Sequence, residues 1–229
     1  MDLYSTCRGF ARAALVFGCL TGGGEMAAAL TVTDGQGDFI GTFTGAQTGD
    51  IDILSASLDL SGNNLIFSAT LKDAVANPLN TYVLGINRGL STRNFSAVGL
   101  GGVTFDSVLT VTGGGVQGGT DFVTSTPISD SFQISGANIT ATIPLSLLPL
   151  VPGGFTSPNQ FLWNFWTRGS LNGAAVAGNP GLADFAPDNS DARVSPVPGA
   201  LPLFVSGGGL LSFLGWRRKR KSAAAPAAA

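Results

Sequence analysis

The clearest pattern in this chain is a two-residue alternation of apolar and polar positions that recurs through its middle. Ile51 to Leu60 (IDILSASLDL) alternates, Gly62-Asn63 supplies a turn, and Leu65 to Leu71 (LIFSATL) resumes the alternation. Successive side chains of a strand point to opposite faces, so the pattern predicts two half-buried strands joined as a hairpin. Further strands are predicted at Thr81 to Ile86, Val103 to Val111, Phe122 to Thr124, Ser131 to Ile134, Asn138 to Ile143 and Phe161 to Thr167. Glycine clusters at Gly99 to Gly102, Gly113 to Gly119 and Gly153-Gly154 punctuate them. Pro144 to Leu148 is expected to make one short helical turn, and no other stretch reads as a good helix. The fold class expected for residues 30–194 is all-β: a two-sheet antiparallel β-sandwich, jelly-roll or immunoglobulin-like.

The two ends of the chain carry a different pattern. Residues 1–29 read as a secretory signal, with Arg8 and Arg12 first, an apolar region from Ala13 to Leu20, and Ala27-Ala28-Ala29 as a small-residue cleavage site. Val16-Phe17-Gly18-Cys19 forms a rival lipoprotein-type box, in which Phe17 stands where a smaller residue is wanted. Residues 195–221 combine a Pro-rich approach, an apolar span and a basic block. From Pro198 to Trp216 there is no charge in 19 residues. As a helix these rise roughly 28 Å, against the roughly 30 Å of a bilayer core. Arg217, Arg218, Lys219, Arg220 and Lys221 follow at once and are expected on the cytoplasmic side. Residues 222–229 are expected to form a disordered Ala-rich tail. The sequence thus predicts a signal helix before the sandwich and a transmembrane helix at 198–216 after it.

This three-part tail resembles the C-terminal sorting signals of the PEP-CTERM type, and more closely the variant with a Val-Pro-Leu-Pro-Ala motif. The matching residues are Val197, Pro198, Gly199, Ala200, Leu201 and Pro202, then the Gly-rich span and the Arg/Lys block. The match departs from the family in lacking a Glu between Pro196 and Pro198 and in placing Gly199 within the motif. The resemblance implies an exosortase, a membrane-embedded protease, as partner. It also implies export through the bacterial inner membrane, then release to the surface of a cell that makes exopolysaccharide. Gly207, Gly208 and Gly209 weaken the span as a permanent helix by about 1 kcal/mol each against Ala. A permanently anchored, periplasm-facing domain is the competing expectation.

Within the body, Thr48 to Ala56 followed by Asn64 to Leu71 is similar to the first hairpin of DOMON-like and carbohydrate-binding-module-like sandwiches. Ala141 to Leu148 and Asp184 to Asp188 are similar to the end of the same fold. Sugar-binding and haem-binding members both exist there. Haem would need His or Met ligands; the chain has no histidine, and Met26 lies in the leader.

Composition narrows the chemistry. The absence of histidine removes histidine-based triads and most zinc sites. Cys7 and Cys19 both lie in the leader, so the body needs no disulfide. The formal charge of the whole chain is -2, but between Leu30 and Trp216 five basic residues face twelve aspartates, a balance of -7 that argues against nucleic acid.

Aspartates gather at Asp34, Asp38, Asp50 and Asp52 and again at Asp184, Asp188 and Asp191. Calcium takes six to eight oxygen ligands, so Asp50, Asp52, Asp184, Asp188 and Asp191 are candidate ligands; the same residues are also ordinary turn formers. Phe161 to Trp166 place Phe161, Trp163 and Phe165 on one strand face and Leu162, Asn164 and Trp166 on the other. Trp163, Asn164, Trp166 and Arg168 are the candidate sugar platform, unless both faces are buried. Asp50 and Asp52 are expected on one side of a strand, and no distant acid partners them as a glycosidase would require. The chain is expected to be a non-enzymatic surface or matrix protein.

Overall fold

The computed structural model describes residues 30–128, 132–171, 173–174 and 179–196. The predicted leader, the span at 198–216, the basic block and the sorting residues from Val197 onward lie outside the described residues. No helix among the described residues is long and apolar enough to cross a membrane.

The chain runs through β1 (Thr31–Thr33), β2 (Ile53–Ser61), β3 (Asn64–Leu71), β4 (Thr81–Asn87) and β5 (Arg93–Phe95). It continues through β6 (Leu100–Phe105), β7 (Ser107–Thr112), β8 (Gln117–Asp121), β9 (Thr126–Pro127) and β10 (Phe132–Ser135). The last strands are β11 (Asn138–Pro144), β12 (Leu162–Arg168), β13 (Leu182–Ala186), β14 (Ala192–Arg193) and β15 (Ser195–Pro196). One sheet has the order β1-β2-β3-β11-β10, with β15 also pairing β2. The second has the order β13-β12-β4-β7-β8-β9, with β14 also pairing β12. The pairs are antiparallel apart from β15 with β2. The expected all-β sandwich is therefore present in its coarse form.

The β2–β3 hairpin forms as the alternation predicts, with Ser61 opposite Asn64 and Gly62 at φ 59° in the two-residue turn. Leu58, Leu65, Phe67 and Ala69 point inward and meet Leu84, Trp163 and Phe165 of the second sheet in one core. Phe67 and Phe165 touch across the layers with ring centroids 5.0 Å apart. The outer face of the first sheet is polar: Thr31, Ser57, Ser68, Thr140 and Gln133 stand in register across its five strands.

Two expectations change, and a third takes a specific form. Val103 to Val111 is two strands: β6 pairs with β5 in a separate hairpin, and β7 joins the second sheet. Val103 and Phe105 serve a second core outside that sheet, while Leu109 and Val111 serve the core between the sheets. Both pairs occupy odd positions, so the alternation continues unbroken across the boundary at Asp106. Phe122 to Thr124 is a turn, and the glycine-rich stretch before it supplies β8. A Cβ on Gly119 would lie 2.3 Å from the Val108 carbonyl oxygen, so glycine permits the close strand approach there. The helical turn after Pro144 is a 3-10 turn at Leu145–Leu147.

Candidate functional site

Carboxylates from two distant parts of the sequence meet where the start of the first sheet faces the edge of the second. Asp34 follows β1, its N–H donating to the Leu54 carbonyl at 2.9 Å. Asp38 lies in the next turn, folded over Gly35, where an added Cβ would come within 2.5 Å of Asp38 Oδ2. Asp184 sits in the middle of β13. Its Oδ2 accepts the Ile53 N–H of β2 at 2.6 Å and its Oδ1 accepts the Phe185 N–H at 2.8 Å. Carboxylate oxygens of Asp34, Asp38 and Asp184 all lie within 4.8 Å of one another.

The electrostatics of this cluster are strained. Burial, then Asp184, Asp38 and Asp188, push the Asp34 carboxyl up to about 8. Asp184 is pushed up to about 7, chiefly by burial, with Asp38 and Asp52 adding to the shift and its two backbone N–H bonds opposing it. Asp188 is raised by burial and by Asp38. Asp34 Oδ2 is buried and has no hydrogen-bond partner among the described residues. Among the described residues, Lys72, with its side chain 39% exposed, pairs with Asp52, at 3.7 Å. Carboxylates this close relieve their repulsion by holding protons or by sharing a cation.

The other candidate ligands are engaged elsewhere. Asp50 lies in a 3-10 turn, Gly49–Ile51. Its side chain accepts from Ala76 N (3.3 Å), Asn77 N (3.1 Å), Asn80 Nδ2 (3.0 Å) and the Thr48 hydroxyl, tying down the loop before β4. Asp52 instead accepts the Gly37 N–H at 3.1 Å. The turn breaks the two-residue period, so the expected shared strand face of Asp50 and Asp52 does not form. Asp191 accepts the Thr104 N–H at 3.1 Å and the Thr104 hydroxyl at 2.6 Å, clamping the β5–β6 hairpin.

The aromatic strand β12 divides its side chains as expected, but both faces are covered. Trp163 is 0% exposed in the core between the sheets. Trp166 is 1% exposed, enclosed outside the second sheet by Phe95, Phe105 and Phe185 with centroids 5.1, 5.1 and 6.0 Å away. Asn164 donates to the carbonyls of Pro187 at 2.5 Å and Ser190 at 2.9 Å. Arg168, at the end of β12, is half-buried, and burial lowers its pKa. The two tryptophans and Asn164 thus brace the fold, and neither tryptophan offers a stacking surface.

Comparison of the chain with protein families, with curated proteins and with solved structures finds no match.

One buried charge group escaped the sequence reading. Arg88, 0% exposed, follows β4. Its Nε donates to Asp106 Oδ1 at 2.8 Å, its Nη2 to Asp121 Oδ1 at 2.6 Å and its Nη1 to the Pro149 carbonyl at 3.1 Å. Burial pushes Asp121 up, but the Arg88 hydrogen bond and the Val123 N–H outweigh it and hold the carboxyl below its usual value. The signal available was a lone Arg closing an apolar strand and a lone Asp inside the run Val103 to Val111. The spacing of the chain gives no hint that they meet.

Proposed function

We propose that this chain is an exported, non-enzymatic surface or matrix protein whose C-terminal segment is a sorting signal read by an exosortase. The observation that carries the reading is the order of the tail: Val197, Pro198 and Pro202, an uncharged span, then Arg217, Arg218, Lys219 and Arg220. The fold supports it in one respect. The described strands all lie before Val197, so a cut near Val197-Pro198 leaves each of them in place. In this reading the body, of jelly-roll or immunoglobulin-like kind, passes the inner membrane, is held there by its tail and is then released to meet exopolysaccharide.

Intact mass of the protein recovered from native cells tests this, with membrane and surface fractions measured separately. A mature form starting near Leu30 and ending near Val197 is expected outside the membrane fraction. Recovery only of a membrane-bound form that retains Trp216 and the basic block overturns the sorting reading in favour of a permanent anchor.

A second reading concerns calcium, favoured by the buried, unpartnered Asp34 Oδ2 facing Asp38 and Asp184. These three, with Asp188 beside them, are the residues that would hold the ion. It would neutralise the carboxylates and tie the start of the first sheet to the edge of the second.

A further inference from the structure

The outer face of the first sheet has a chemistry that restricts what it can meet. Its central row, Thr31, Ser57, Ser68, Thr140 and Gln133, runs unbroken across five strands, and a parallel row runs from Thr33 through Thr70 to Ser135. Every member of both rows is a hydroxyl or amide residue. Neither row carries a charge, although the body as a whole is strongly acidic; the next row, Asp59, Ile66 and Thr142, carries one carboxylate, on β2, and no cation. Between β3, β11 and β10 the face dips into a groove of about 370 Å³ lined by Ile66, Ser68, Gln133, Thr140 and Thr142. Among the described residues, the side chains of Ser68, Gln133, Thr140 and Thr142 make no hydrogen bond within the protein.

Elimination identifies the partner. With no cation on the rows, the face cannot hold nucleic acid or an anionic polymer. Ile66 is the groove's one large outward apolar side chain, too little for a hydrophobic protein contact. Hydroxyls and amides both donate and accept, which suits a partner that is itself a neutral array of hydroxyls. Adjacent strands stand about 4.8 Å apart, close to the length of one sugar unit in an extended chain. A glycan crossing the strands would therefore meet a fresh side chain at each unit.

We propose that this face, centred on Ser68, Thr140 and Gln133, binds a neutral polysaccharide, lying across the strands of the first sheet. The proposal rests on the reading of the body as a matrix protein and supplies the site that the buried tryptophans do not. Binding is read on the purified full chain in mild detergent, whether or not the tail is cut in cells, so the two readings fail separately.

The test is mobility in native gels cast with dextran, laminarin or galactomannan, with alginate as the anionic comparison. At least one neutral polymer should retard the chain, and Thr140→Lys should weaken that retardation at least tenfold with the melting temperature unchanged. Should Thr140→Lys fail to fold, Gln133→Lys on the edge strand β10 probes the same groove and should act alike. The proposal is overturned by retardation in alginate alone, by no retardation in any neutral polymer, or by retardation that both lysine variants leave intact. A concentration-dependent dimer abolished by Thr140→Lys would also overturn it, because the face would then join two copies of the chain.

Discussion

Asp184 of β13 accepts the backbone N–H of Ile53 in β2 at 2.6 Å, tying the edge of one sheet to the other through a carboxyl group that burial has pushed up to about 7. This bond lies inside the acidic cluster, so the joint between the layers and the titration of the cluster are one device. Replacing Asp184 by Ala should leave the Ile53 N–H unsatisfied and cost about 1–3 kcal/mol. Denaturant unfolding measures it, and a loss within error would show that the joint is not structural.

The pH dependence follows from the direction of the shifts. Asp34 and Asp184, raised to about 8 and about 7, keep protons in the folded chain that they would release on unfolding above about pH 4. The folded state therefore binds more protons between about pH 4 and pH 8, and stability falls as pH rises through that window. In chelator, the melting temperature should drop by on the order of 5 °C between pH 5 and pH 8. A melting temperature that climbs over the same interval contradicts the raised values, and Asp34→Asn should flatten the slope.

If calcium occupies the cluster, millimolar calcium at pH 7.5 should raise the melting temperature and remove most of that slope. Asp38 is exposed and holds no strand together, so Asp38→Asn should abolish the calcium response while sparing the fold. Superimposable melts with calcium and with chelator would exclude the ion.

Arg88 holds two buried carboxylates, and among the described residues neither is paired with another cation. Arg88→Met should destabilise the chain by about 3–5 kcal/mol, because Asp106 and Asp121 would stay buried without their cation. Arg88→Lys should recover little of this, since an ammonium cannot copy the planar fork that spans both partners. Equal stability of the Lys variant and the native chain would refute the geometry.

Trp166 lies so close over β4 that a Cβ on Gly85 would sit 2.4 Å from its ring. Gly85→Ala should cost about 1–3 kcal/mol by overpacking, and clearly less in a Trp166→Leu background. Additive losses in that double-mutant cycle would mean that the two residues do not touch.

Much of the fold was legible because one sheet has a wet face. The β2–β3 hairpin could be read from Ser55, Ser57 and Ser68 alternating with Ala56, Leu58 and Phe67, which is what a half-buried strand requires. The second sheet is covered on both sides, and there the pattern misleads. Trp166 is as buried as Trp163 because the β5–β6 hairpin caps the outside of β12. Nothing in the residues of β12 announces that cap. The candidate site was half legible. Both groups of aspartates stood out, yet local turns and side-chain caps engage Asp50 and Asp191, and only folding shows Asp34 and Asp38 beside Asp184.

The pairings of β2 have a consequence for how the body hangs between its ends. Thr31 lies opposite Ser57, and Ser195 opposite Asp59, on the same edge of the strand. The first and last described strands therefore share one edge of β2, with Thr31 and Ser195 about 7 Å apart along it. An attachment made through either end of the described body would therefore meet the same edge of β2.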